Sequence, residues 1–152
     1  MLPTDDIGVE LVAASLSMLT RQASLMRLHD LVSNRGGLTL ERSAYPLLNQ
    51  ILALGTGRLS DVAAGLKVAV PTVSRQVRQL EDLGLVQRSQ DPVDGRAVIL
   101  EVTASGLDAL QRMRDEWRRT VAEILEPWPV KDREILGELL ERFAVELLAL
   151  RA

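Results

Sequence analysis

The sequence predicts a mainly α fold, in which a winged helix-turn-helix core with a two-stranded β wing is flanked by N- and C-terminal helices. Three observations predict this fold class. Apolar residues recur at spacings of three and four over long stretches, which is typical of helices that bury one face. Two short helical segments follow each other closely in the middle of the chain, as in a helix-turn-helix. Two β-rich runs joined by a turn-rich segment come next.

The composition favours a cytoplasmic protein. Its 152 residues include 18 Lys plus Arg and 21 Asp plus Glu, and 47% of them are hydrophobic. Because the chain has no cysteine, it can form no disulfide framework or thiolate metal cluster. The N-terminus MLPTDDIG lacks the basic start of a signal peptide, and no apolar run is long enough to span a bilayer. We expect no membrane partner, cofactor or metal.

Two helices are predicted before the helix-turn-helix. The first extends from Ile7 to about Val32 and ends at the segment NRGG (34–37). The second begins at LT (38–39) and closes at GTG (55–57). The first helix is expected to bury an apolar stripe made of Leu11, Val12, Leu16, Leu19, Ala23 and Met26.

The helix-turn-helix is predicted between residues 60 and 84. Ser60 is a good N-cap for a short helix over 61–67. The second helix lies in VPTVSRQVRQLEDLG (70–84), where Pro71 fits the first turn because its missing N–H is not needed there. Gly84 is expected to provide a left-handed C-terminal cap.

The second helix has two contrasting faces on a helical wheel. Arginine donates two hydrogen bonds to guanine, glutamine pairs with adenine, and threonine and serine bind phosphates or base edges. The polar face therefore favours a helix whose N-terminal half enters a DNA major groove, although a solvated amphipathic helix explains this segment alone equally well. The apolar face comprises Val70, Val73, Val77, Leu80 and Leu83, and the polar face comprises Pro71, Thr72, Ser74, Arg75, Arg78, Gln79 and Asp82.

The wing is predicted from β-rich runs at 85–89 and 97–102, separated by QDPVDGR (90–96). Near its tip, Asp94 is placed to orient Arg96 through a charge-assisted bond. An arginine on such a narrow ribbon can enter a minor groove, where the negative potential is enhanced. The alternative is an ordinary surface ion pair, which contributes little to stability.

The middle of the chain contains, in this order, the fragments LSDVA (59–63), PTVSR (71–75), LE (80–81), GLVQR (84–88), DP (91–92) with Asp94 and Arg96, and Thr103 with Gly106. With these fragments, residues 38–106 resemble the winged-helix core of the MarR (multiple-antibiotic-resistance regulator) family of bacterial transcription factors. Each matching fragment alone is weak, but their order and spacing together are specific. The resemblance implies an obligate homodimer that binds a pseudo-palindromic DNA operator, usually as a repressor released by a small ligand.

The resemblance also implies DNA-contact roles for particular residues. Arg96 would be the wing-tip contact, Asp94 its orienting partner, and Ser60 a phosphate contact as well as a cap. Two departures from the family pattern are Ala69, where a capping Ser or Thr is frequent, and Gly95, where a second wing arginine is common. Loss of a basic residue should weaken nonspecific phosphate attraction. The groove-facing set would be Pro71, Thr72, Ser74, Arg75, Arg78 and Gln79.

The flanking regions are expected to form a dimer. We divide the chain into an N-terminal dimerisation helix (1–36), the DNA-binding domain (37–103) and C-terminal dimerisation helices (104–152). A long apolar helix from about residue 107 is interrupted by Pro127 and Pro129, and another follows. These helices offer more apolar surface than the core can cover, which normally indicates an oligomer interface.

Ligand binding and the alternative functions are less well specified. The resemblance places a small-molecule pocket near the dimer helices, although core packing or a solvated face explains most such residues. An enzyme is not expected, because the sequence has no Gly-rich phosphate loop, metal-spaced cluster or nucleophile with a histidine base. The alternative that fits the acidic composition is a winged-helix protein-interaction module. The pocket candidates are Met18, Arg21, Met26, His29, Tyr45 and Trp117.

Overall fold

The computed structural model describes residues 6–21, 30, 43–55, 57–95 and 97–150. The chain divides into two compact units, Met1–Glu116 and Trp117–Ala152. The mainly α winged-helix fold that the sequence predicts is confirmed. The described elements are α1 (Ile7–Thr20), α2 (Ala44–Leu54), β1 (Gly57–Arg58), α3 (Leu59–Leu66), α4 (Val70–Asp82), β2 (Val86–Gln90), β3 (Val98–Val102), α5 (Ala104–Leu125) and α6 (Val130–Ala149).

The wing belongs to a three-stranded antiparallel sheet in the order β1-β3-β2. Strands β2 and β3 form the predicted hairpin, with Arg88 opposite Leu100. Strand β1, which was not predicted from the sequence, pairs Gly57 with Leu100 and Arg58 with Ile99. A strand of two residues shows no alternating pattern, and its partner lies about forty residues away, so short-range periodicity contains no signal for it.

The core of the first unit is formed where α2, α3, α4 and the sheet meet the first turns of α5. On α4, the predicted apolar face is buried at Val73, Val77 and Leu80, whereas Val70 and Leu83 at the helix ends are 43% and 55% exposed. The helix is therefore held by its middle turns, and its polar face points away from the core. The largest fully buried apolar side chains are Leu47, Leu48, Ile51, Val62, Val73, Val77, Leu100 and Leu110.

The ends of α3 and α4 show that one predicted helix cap is wrong and that the predicted positions of Pro71 and Gly84 are right. Helix α3 begins at Leu59 with Arg58 as its N-cap residue, so the assignment of Ser60 as the cap is wrong. Pairing of β1 holds Arg58 in extended backbone, and the helix starts directly after it. Pro71 lies in the first turn of α4, whose N-cap residue Ala69 makes no side-chain capping bond. Gly84 has the predicted left-handed φ of 69°.

The flanking helices leave their apolar side chains exposed within one copy of the chain. Helix α1 begins at Ile7 as predicted and has no buried residue, so the expected buried stripe is not covered among the described residues. It ends at Thr20, and the rest of the helix expected up to Val32 falls largely outside the described residues. Helix α6 likewise buries none of its side chains. No described helix is long and apolar enough to cross a membrane.

A tight contact fixes the start of α5 against the turn that joins α4 to β2. The Thr103 hydroxyl donates to the Gly84 carbonyl oxygen at 2.6 Å and accepts the Gly106 N–H at 3.1 Å. The Thr103 N–H donates to the Leu85 carbonyl oxygen at 3.0 Å. A Cβ atom on Gly106 would collide with that same Leu85 carbonyl and with Val102. Only glycine fits here without movement of the backbone.

Gly106→Ala is therefore expected to lower the free energy of unfolding by roughly 1–3 kcal/mol, as overpacking against rigid atoms does. Gly137→Ala in α6 is the matched control, because nothing lies within 4 Å of the added Cβ. Alanine is the better helix former there, so the control should be neutral or stabilising by up to about 1 kcal/mol. Urea unfolding measures both changes, and equal stabilities of the two variants would contradict the tight contact.

Candidate nucleic-acid interface

The polar face of α4 is open to solvent along its length. Pro71, Arg75, Arg78 and Gln79 are exposed, while Thr72 and Ser74 are half-buried at its margins. The helix has 13 residues and is thus about 20 Å long, enough to cross a DNA major groove. Within the described part of the chain, the guanidinium groups of Arg75 and Arg78 form no ion pair. Both remain available to bind an anion or a base edge.

The C-terminal end of α4 is tied to the wing. The Arg88 Nε atom of β2 donates to Glu81 Oε1 at 2.7 Å, and both side chains are partly buried. This contact neutralises the acid closest to the basic part of the helix. Helical spacing alone gives no sign of this pairing, because it depends on the turn that brings β2 back beside α4.

The wing tip is a closed loop organised by Asp91. The Asp91 Oδ1 atom accepts the N–H groups of Val93 and Asp94 at 2.9 and 3.3 Å. The Asp91 N–H donates to the Ala97 carbonyl oxygen at 2.9 Å, and the Ala97 N–H donates to the Asp94 carbonyl oxygen at 2.8 Å. These bonds give the tip a defined backbone conformation.

Arg58 is the functional candidate that the sequence analysis missed. Its Nη2 atom lies 2.9 Å from Asp91 Oδ2 and 3.5 Å from Asp94 Oδ2. Asp94 was expected to orient Arg96, but Arg96 lies outside the described residues. Among the described residues, Asp94 forms an ion pair with Arg58. Arg58 and Asp91 are 33 residues apart in the sequence, so local sequence spacing could not predict this contact.

The contacts of Asp91 favour its charged form. The hydrogen bond from the Val93 N–H lowers the pKa of the Asp91 carboxyl, and the Arg58 side chain and the Asp94 N–H lower it further. The hydrogen bond to Asp91, followed by the charge of that carboxylate, raises the pKa of Arg58. The wing tip is therefore organised around an ionised carboxylate at neutral pH.

Acid is expected to loosen this tip. Because the folded-state pKa of Asp91 is depressed, its stabilising contribution is complete above the unfolded-state pKa and is lost as the pH falls through the folded value. A carboxyl titration by NMR should give an inflection for Asp91 below the ordinary value of about 3.9, with the Val93 amide signal moving in parallel. In Asp91→Asn the amide oxygen still accepts the bonds, but the side chain does not titrate. The pH-dependent movement of the Val93 signal should therefore disappear. An inflection at or above the ordinary value would contradict the hydrogen bonding described.

The remaining candidate residues from the sequence differ in how exposed their side chains are. Ser60 is exposed on α3, where its hydroxyl lies 3.4 Å from Asp61 Oδ1. Among the pocket candidates, Tyr45 packs against the core of the first unit, and Met18 is 60% exposed. Arg21 is exposed just after α1, Trp117 of the second unit is 45% exposed, and Met26 and His29 lie outside the described residues. The ligand pocket stays a prediction.

Comparison with known proteins gives three relevant similarities. The sequence model of the MarR family matches residues 40–98. The HTH-type transcriptional regulator YxaD of Bacillus subtilis is 34% identical over 134 residues, which cover 88% of this chain and 91% of the relative. A MarR family protein from Bacillus stearothermophilus has a similar structure, with a TM-score of 0.72 at 20% identity, covering 91% of this chain and 97% of that one.

A second solved structure contains nucleic acid. It is a mutant of MepR from S. aureus bound to an oligodeoxyribonucleotide, with a TM-score of 0.64 at 19% identity, covering 88% of this chain and 97% of that one. At such identities the two solved structures show a shared fold. The likeness extends beyond the winged helix, since it covers most of each chain.

Proposed function

Because this chain belongs to the MarR family of transcriptional regulators, we propose that it is a dimeric, sequence-specific DNA-binding protein whose helix α4 reads a major groove. It is a regulator and not an enzyme. The observation that supports the proposal most is the exposed face of α4, on which Arg75 and Arg78 make no ion pair among the described residues and Gln79 lies beside them.

The proposed contacts differ in what they recognise. Arg75, Arg78 and Gln79 would donate to base edges, while Thr72 and Ser74 would bind phosphates or base edges at the rim of the groove. Pro71 would contact the DNA at the entry of the helix, and Ser60 would bind a phosphate. Arg96, oriented by Asp94, would enter the flanking minor groove. The groove itself would be reached by the N-terminal half of α4.

The proposed partner of the exposed flanking helices is a second copy of the chain. Leu139, Leu140 and Leu147 of α6 are each more than half exposed, as are Leu11 and Leu19 of α1, although helices with apolar stripes normally bury them. A two-fold dimer would place two α4 helices about 34 Å apart, one turn of DNA. A pseudo-palindromic operator is the DNA that such symmetry fits.

Regulation is proposed on the basis of family membership. We propose that the protein represses nearby genes in the cytoplasm and is released from DNA by a small molecule bound near the dimer helices. A reporter fused to its own promoter should become more active when the gene is deleted. Lower activity in the deletion strain would reassign the protein as an activator.

A gel-shift titration against DNA upstream of its own gene tests the proposed function. We expect a discrete complex whose affinity falls with salt, because phosphate contacts release counterions. The net charge of −3 favours the alternative, a protein-interaction module, for which binding would be absent or insensitive to salt. A scrambled duplex of equal composition is the control for sequence specificity.

A further inference from the structure

Arg58 contacts the wing tip although it lies in neither the β2–β3 hairpin nor helix α4. Its Nη2 atom is 2.9 Å from Asp91 Oδ2 and 3.5 Å from Asp94 Oδ2. We propose that Arg58 is a positioning residue for DNA binding, which fixes the wing tip and neutralises its carboxylates so that the tip can approach the phosphate backbone. The proposal rests on the DNA-binding function proposed above.

The sheet supplies the fixed point from which Arg58 acts. Strand β1 pairs Arg58 with Ile99 of β3, and Ile99 is buried. The backbone of Arg58 is thereby held to the base of the hairpin, while its side chain extends to the tip. Because Asp91 also accepts the Val93 and Asp94 N–H groups, holding this carboxylate holds the backbone of the whole tip.

The charges of the tip show why neutralisation matters. The tip segment, residues 90–96, contains two acids and one base and therefore has a net negative charge, and double-stranded DNA has one negative charge per about 1.7 Å of axis. Without Arg58, the Asp91 carboxylate would face this polyanion without the guanidinium that lies 2.9 Å from it. The Asp94 side chain is 49% exposed and that of Arg58 is 47% exposed. The effect should therefore depend on ionic strength, because exposed charges are screened.

Operator affinity in two backgrounds tests the proposal. At low salt, fluorescence anisotropy should show that Arg58→Ala binds the operator roughly fivefold more weakly, the size expected for unpaired charges near DNA. In an Asp91→Asn, Asp94→Asn background, the same change should cost less than about twofold. Asparagine retains the oxygen that accepts the tip N–H bonds. Arg58→Lys, which keeps the positive charge beside Asp91, is the conservative control and should recover most of the affinity.

Equal losses in both backgrounds would overturn the proposal, since Arg58 would then bind phosphate directly. No loss in either background would overturn it as well.

Amide hydrogen exchange of the free protein gives an independent readout: Arg58→Ala should accelerate exchange at Val93 and Asp94 while the thermal midpoint changes little, because exposed ion pairs add little stability. Unchanged exchange would remove the positioning role. If the unmodified protein bound no DNA, the proposed function would fail instead, and the exchange measurement would still report on Arg58.

Discussion

A chain truncated before Leu136 is expected to be monomeric and to bind the operator about 10²–10⁴-fold more weakly than the full-length protein. The loss is large because a dimer binds its second half-site as an intramolecular event, whereas a monomer gains no such advantage. The truncation removes most of α6, including Leu139, Leu140 and Leu147, which are exposed in one copy of the chain. We propose that these side chains are covered in the dimer.

The winged helix should survive this truncation, because its buried core is formed by residues between Ala44 and Met113. Circular dichroism checks that point, and analytical ultracentrifugation measures the oligomeric state. Glu141→Lys, which changes an exposed charge on the same helix, is the control and is expected to remain dimeric. Sedimentation of the truncated chain as an intact dimer would overturn the proposed interface.

Arg75→Ala is expected to weaken operator binding by roughly 1–3 kcal/mol and to relax the preference for one base pair. The guanidinium of Arg75 is exposed on α4 and forms no ion pair among the described residues. Its fork can therefore donate two hydrogen bonds to a guanine. Because Val73 and Val77 are fully buried, the helix is anchored to the core and would hold the arginine at a fixed height in the proposed groove.

Arg75→Lys distinguishes base recognition from charge. Lysine keeps the positive charge but lacks the planar fork, so this variant should retain the salt dependence while losing the base preference. Affinities for a set of operators, each changed at one base pair, measure the effect. If Arg75→Ala weakens binding equally at every operator, Arg75 contacts a phosphate and another residue reads the base.

The local features of the winged helix could be predicted because short-range rules govern them. Pro71 in the first turn and Gly84 in left-handed backbone follow from what each residue permits. The burial of Val73 and Val77 follows from helical spacing. These features depend on residues close in sequence, and the structure confirms them.

Features that depend on distant pairing could not be predicted. Strand β1 exists because it pairs with β3, and that pairing also moves the start of α3 to Leu59 and deprives Ser60 of its expected capping role. The contact between Arg58 and the wing tip has the same origin. For the candidate site, the sequence identified the exposed face of α4 but not the residue that holds the wing. The DNA contacts themselves stay predictions.

The ratio of specific to nonspecific affinity tests the central claim most directly. A duplex selected from random DNA by the full-length protein is compared with a scrambled duplex at physiological salt, and the protected positions are mapped by footprinting. Sequence-specific binding by a dimer predicts at least about 10³-fold tighter binding to the selected duplex, with two protected half-sites one helical turn apart. Equal affinity for both duplexes would contradict the assignment of α4 as a helix that reads DNA sequence.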